Sequence, residues 1–200
     1  MLIRARGFSL VELMVAISLL AVLIGLAMPG FMTWIRNTQV RTVAEALQSG
    51  TRLAQAEAVR RYRQVVFFRT NQSNCDTAAT AEADGAFWVV RTIVLVAEDV
   101  AAVVQCGNLS DVAANVAIGG PTAICFSSAG RQVAVANPGI GGTACTLDAS
   151  GRSTFDVNKT GSARTGQDRP LRVLIGLAGS VRMCDPAKAL SATNPDGCPS

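Results

Sequence analysis

Arg6-Gly7-Phe8-Ser9-Leu10-Val11-Glu12-Leu13 opens a run, FSLVELMVAISLLAVLIGLAM from Phe8 to Met28, that holds one charge in twenty-one residues. At about 1.5 Å per residue, a helix of that length spans roughly the 30 Å of bilayer hydrocarbon. A secretory signal has a shorter apolar region, roughly 7–15 residues, followed by a small-residue cleavage site. No convincing A-x-A cleavage site stands after Met28, so the run is expected to be retained as a membrane-crossing segment. Arg4 and Arg6 precede it, which by the positive-inside tendency keeps the short N-terminus in the cytoplasm. Arg36 and Arg41 beyond the other end oppose that orientation. Six cysteines further on decide for an outward, oxidising location of the rest.

Glu12 is the odd residue in the run. An Asp at a helix centre costs about 2.5–3.5 kcal/mol on insertion scales. A carboxylate so placed either stays hydrated near the interface or has a partner.

Pro29-Gly30 follows and is expected to kink or locally unwind the helix, because Pro lacks an N–H and clashes with the preceding turn. Beyond it, Val40, Val43, Ala44, Leu47, Ala54 and Ala58 recur at helical spacing. Arg36, Arg41, Glu45, Gln48, Arg52, Gln55 and Arg60 fill the other positions. That is an amphipathic stripe to be laid on something apolar, and Phe8 to about Arg63 would make a rod of roughly 80 Å.

After Arg63 the pattern changes to short runs: Val65 to Phe68, Phe87 to Val96, Ile124 to Phe126, Arg131 to Val135, Ser153 to Val157, Leu171 to Leu177 and Val181 to Cys184. Gly, Asn, Ser and Pro clusters separate them, as between strands. Ala178-Gly179 suits a tight hairpin. Residues 71–85 and 99–120 read as loops. The fold class expected is α+β, one long kinked helix packed on an antiparallel sheet. Its segments are 1–7, an apolar 8–28, an amphipathic 29–63 and a β-rich head over 64–200.

The 200 residues carry no His, which removes the commonest general base and the commonest metal ligand. Cys75, Cys106, Cys125, Cys145, Cys184 and Cys198 are widely spaced with no C-x-x-C pair, so a zinc or thioredoxin-like site fits badly and disulfides fit well. Gly139-Ile140-Gly141-Gly142 is too short for a phosphate loop, and no Walker or G-x-S-x-G motif occurs. No catalytic residue, metal or cofactor is expected. The net charge of +4 is uneven, with an acidic middle and basic flanks.

Arg6 to Leu13, the unbroken apolar helix and Pro29 together resemble the class III leader of type IV pilins and of the pseudopilins of type II secretion. The resemblance implies the pilin fold. It also implies a prepilin peptidase that cuts behind Gly7, methylation of the new N-terminal Phe8, and a Glu12 that pairs with the N-terminal amine of a neighbouring subunit. A free amine and a carboxylate, each expensive alone in lipid, would neutralise each other. Ile124 to Arg131 and Leu171 to Cys184 resemble the GspH/FimT group within that superfamily. Cys184 and Cys198 resemble the pair that closes the terminal loop of many type IV pilins. Taking the other four as sequence neighbours joins Cys75 to Cys106 and Cys125 to Cys145, one of the fifteen pairings open to six cysteines.

The function this implies is that of a minor pilin in a type IV pilus, priming or capping filament assembly and assisting DNA uptake. Its partners would be the prepilin peptidase, other pilins and the inner membrane, with a single-pass anchor and a periplasmic head. The alternative is an H-type pseudopilin acting in protein export through a type II secretion system. A further alternative is a DNA-binding minor pilin, since some FimT-type pilins hold DNA through Gly-Arg-any-Arg. Here that stretch is Gly179-Ser180-Val181-Arg182, with Ser in place of the first Arg. Arg172 and Arg182 are the leading DNA candidates, with Arg152, Lys159, Arg164, Arg169 and Lys188 around them. The simpler reading of these residues is a solvated basic edge.

Overall fold

The computed structural model describes residues 9–96, 99–109, 115–160 and 168–199. It divides into two compact units, Met1–Arg36 and Asn37–Ser200. Helix α1, Leu10–Arg61, runs through both without a break, with Pro29 inside it. Local unwinding at Pro29-Gly30 is therefore not seen. The Thr33 hydroxyl donates to the Pro29 carbonyl at 3.1 Å, a local bond of the kind that accommodates an irregular turn.

In the first unit the apolar side chains from Leu10 to Met32 are exposed, and none of the most hydropathic stretch is buried. A helix apolar on every side has nothing in this unit to bury itself against, so its natural solvent is lipid or other helices.

In the second unit the stripe read from the sequence is the buried one: Val40, Val43, Ala44, Leu47, Ala54 and Ala58, joined by Gly50 and Thr51. The helix ends where Tyr62 turns left-handed at φ 52°. The Arg63 N–H reaches back to the Ala58 carbonyl at 3.2 Å, the six-to-one bond of a Schellman stop, at a position where Gly is the usual residue. Arg60 and Arg61 in the last turn favour the negative end of the helix. Both also bond Glu57.

Among the described residues ten strands follow: β1 Val65–Thr70, β2 Phe87–Thr92, β3 Val103–Asn108, β4 Val116–Gly119, β5 Ala123–Phe126, β6 Gln132–Val133, β7 Ser153–Lys159, β8 Leu171–Ile175, β9 Val181–Ala189 and β10 Gly197–Cys198. They form two five-stranded sheets, β3-β2-β1-β5-β6 and β10-β9-β8-β7-β4, rather than the one expected. Pairing is antiparallel except between β9 and β10. The span 99–120, read as loop, contains β3 and β4. Both end a sheet, where one-sided pairing and partial exposure weaken the apolar alternation that marks a strand. β2 stops at Thr92, four residues short of its expected end, and Val94 to Val96 are exposed. β6 and β8 are also shorter than expected, and β9 is longer.

Three clusters hold the head together. The main one packs the α1 stripe with Val65, Phe67, Trp88, Val90, Ile124 and Phe126 of the first sheet and Phe155, Val157, Val173, Ile175 and Val181 of the second. A second lies on the other face of the first sheet, where Val66, Phe68, Val89 and Cys125 meet Ala79, Ala81, Ile140 and Cys145 from the connections. Leu174, Cys184 and Cys198 form a third, on the second sheet.

Arg69 on β1 is buried between the sheets. Its guanidinium donates to the Ile118 carbonyl of β4 at 3.1 Å and lies 6.0 Å from the centre of the Phe155 ring. Burial lowers its pKa to about 10, opposed by the charge of Asp84.

Candidate assembly interface

Ser9 and Glu12 close a reciprocal pair at the start of α1. The Ser9 N–H donates to Glu12 Oε2 at 3.1 Å, and the Glu12 N–H donates to Ser9 Oγ at 3.2 Å. This is a capping box, which satisfies two of the donors that a helix start leaves orphaned. Read from the sequence, Glu12 has a neighbouring subunit's amine as its expected partner and Ser9 has no assigned role. The Ser-x-x-Glu spacing ahead of an apolar run was the signal that marks it. Glu12 is exposed, and a carboxylate that accepts one backbone bond keeps further lone pairs for a cation. Gly7 and Phe8, the expected cleavage and methylation positions, lie outside the described residues.

Within the head, the two segments singled out near Gly130 and Gly179 come together on one helical side chain. Gln55 Nε2 donates to the Gly130 carbonyl at 3.0 Å. A Cβ on Gly179 would meet that same Nε2 and that same carbonyl oxygen at 2.1 Å each. Gly130 and Gly179 both have left-handed φ, 72° and 86°. Each therefore needs Gly for its turn, and Gly179 needs it also for the close approach. Arg52, one turn earlier, donates to the Val181 carbonyl at 2.9 Å. Gln132 N–H bonds Leu177 O at 3.0 Å, so the two sheets meet beside the same turn.

Residues 3–28 match the prokaryotic N-terminal methylation motif. The fold is similar to that of the type IV minor pilin FimU of Pseudomonas aeruginosa, with TM-score 0.50 and 16% identity over 76% of this chain and 92% of that one. The chain thus joins a prokaryotic N-terminal methylation motif to a fold like that of a type IV minor pilin. The minor pseudopilin EpsH from the type 2 secretion system of Vibrio cholerae also aligns with this pilin-like chain. There the TM-score is 0.47 and the identity 11%, over 75% of this chain and 99% of that one. No curated protein matches the chain significantly.

In this pilin-like head several of the described DNA candidates are paired with acidic or amide side chains. Arg172 Nε bonds Asp156 Oδ1 at 2.6 Å, across the β7–β8 pair. Lys188 is held by Asp196 at 2.5 Å and lies 3.6 Å from Asp185. Asp196 raises the Lys188 pKa and is itself lowered by it. Arg152 lies on the Asp148 loop, and Lys159 donates to Gln39 of α1. Arg182 is exposed on β9, on the same sheet face as Arg172. Arg164 lies outside the described residues.

All six cysteines are joined: Cys75 to Cys106, Cys125 to Cys145 and Cys184 to Cys198, with Cα separations of 5.9, 5.7 and 5.0 Å. Among the described residues no group of three His, Cys, Asp or Glu side chains is placed to hold a metal.

Proposed function

We propose that this chain is a minor pilin of the GspH/FimT type. In this reading it is made as a membrane precursor, cut behind Gly7, methylated at Phe8 and built into a type IV pilus, where it helps start or cap the filament. The observation that carries the proposal is a methylation motif leading directly into an apolar helix that is exposed on every side. Such a helix needs lipid before assembly and other helices after it. Glu12, already positioned by Ser9, supplies the carboxylate for a neighbouring subunit's Phe8 amine. The head stays on the periplasmic side of the inner membrane, where its three disulfides form.

Six cysteines favour the pilus over type II secretion, whose pseudopilins rarely carry so many. Direct DNA binding is not favoured, because Arg172 and Lys188 are engaged by carboxylates within the head.

A clean deletion strain tests the assignment. Surface pili and DNA uptake are scored beside export of secreted enzymes, and the intact mass of the chain is measured in a peptidase-competent host. Loss of pili with export intact, and a mature mass beginning at methylated Phe8, is the expected result. Loss of export alone makes the chain a secretion pseudopilin, and a retained leader removes the filament reading altogether.

A further inference from the structure

Each sheet has two outer strands, and three of the four are short: β6 and β10 have two residues each and β4 has four. The fourth, β3, has six and is paired among the described strands with β2. The bond from Leu109 N–H to Ala86 O at 2.8 Å sets the phase of that ladder. By alternation Gly107 and Gln105 bond to β2, while Cys106, opposite Val89, directs its N–H and C=O away from the sheet. An edge of this length is normally blunted by Lys, by Pro or by inward-pointing charge. The β3 sequence VVQCGN has none of these, only one bulge opposite Val90 and Arg91.

Beside the edge lies a cleft of about 330 Å³ lined by Gln72, Asn74, Phe87, Val89, Cys106 and Asn108. Its apolar floor and amide rim carry no charge. The loop feeding β3 exposes Val94, Leu95, Val96 and Val100, the last at 74%. Asp99, beside Val100, pairs with Arg63 at 2.8 Å and accepts from Leu95 N–H at 3.3 Å.

We propose that β3 accepts an extended, uncharged strand from the head of a different subunit of the filament. The strand adds to the first sheet as a sixth member, with one apolar side chain in the Phe87–Val89 cleft and further contact on Val94, Leu95, Val96 and Val100. Outward backbone groups recognise an extended chain and nothing else, and the adjoining cleft selects a neutral one. A β3-to-β3 pairing of two copies would be isologous and closed. A filament grows through heterologous contacts, and a minor subunit that starts or caps one has other pilins as its neighbours, so the donor is a different subunit. The proposal rests on the filament reading above.

The test places p-benzoylphenylalanine at Asn74 in the full chain, produced in its filament-forming host. After irradiation the adducts are mapped by mass spectrometry, and leader removal and recovery in sheared filaments are scored in the same samples. The expected result is an adduct with an extended segment of a different subunit. Its yield should fall about fivefold when Gln105→Lys puts a charge on the edge, and should stay unchanged with Ala117→Lys on β4. A chain that is processed and incorporated overturns the proposal in any of three ways: no adduct, an adduct only between two copies, or one indifferent to Gln105→Lys. A chain that is neither processed nor incorporated removes the filament reading, and this proposal falls with it.

Discussion

The two sheets share one core but are finished differently on their far sides. In the first sheet β1 is buried at every position, because loops cover the face that α1 does not. In the second, β7 alternates buried and partly exposed residues, and its far face carries, among the described residues, Asp156, Arg172 and Arg182 beside the small Leu174–Cys184–Cys198 cluster. A cover made of loops has little backbone pairing of its own, so it has to be fastened. Cys75–Cys106 and Cys125–Cys145 fasten it covalently. Arg91 forks to the Thr77 and Gly139 carbonyls from the sheet beneath. Burial holds the Arg91 pKa below its usual value.

The largest break in this comparison is Phe68→Ala, under the loop cover. It should cost about 3–5 kcal/mol in a denaturant titration, as for any large side chain removed from a closed core. A loss below about 1 kcal/mol would mean that the first sheet, too, has an open far face. Arg91→Ala removes the fork that ties Thr77 and Gly139 to the sheet and should cost about 1–3 kcal/mol, as for bonds made by a charged donor, with faster proteolysis in 72–82 and 135–145. Arg91→Lys should rescue it only partly, since a single ammonium cannot reproduce the fork.

Which of this was legible depended on periodicity. The helix stripe repeats every third or fourth residue for five turns, and all six positions read from it are buried. The covering residues Ala79, Ala81 and Ile140 belong to no repeat, so neither the loop cover nor the need for a second sheet showed in the sequence. β10 has two residues and pairs in parallel through a shifted register, leaving no pattern to read. At the helix start the acid was legible and its cap was overlooked. At the basic edge, charge could be counted along the chain, but Asp156 stands sixteen residues before its partner Arg172 and is brought to it only by strand pairing.

Smaller changes sharpen the contrast on the open side. Arg172→Ala should shift stability by no more than about 1 kcal/mol, since both side chains of its pair are more than a third exposed. A larger loss would make the far face of the second sheet structural.

The smallest effect is expected from Glu57, whose bonds to Arg60 and Arg61 hold its pKa at about 2 against an ordinary 4.5. A depressed carboxylate contributes fully above pH 4.5, and that contribution is lost as pH falls towards 2. Glu57→Gln should flatten this part of the stability profile, followed by thermal melts across the range.

The three disulfides also bear on how the chain is made. Each cysteine is joined to the next one along the sequence, at separations of 31, 20 and 14 residues, and no bridge encloses another. A chain delivered from its helix end into an oxidising space presents its thiols two at a time, already in native couples. Oxidation in order of arrival then gives the final connectivity directly, with no wrong bridge for an isomerase to undo.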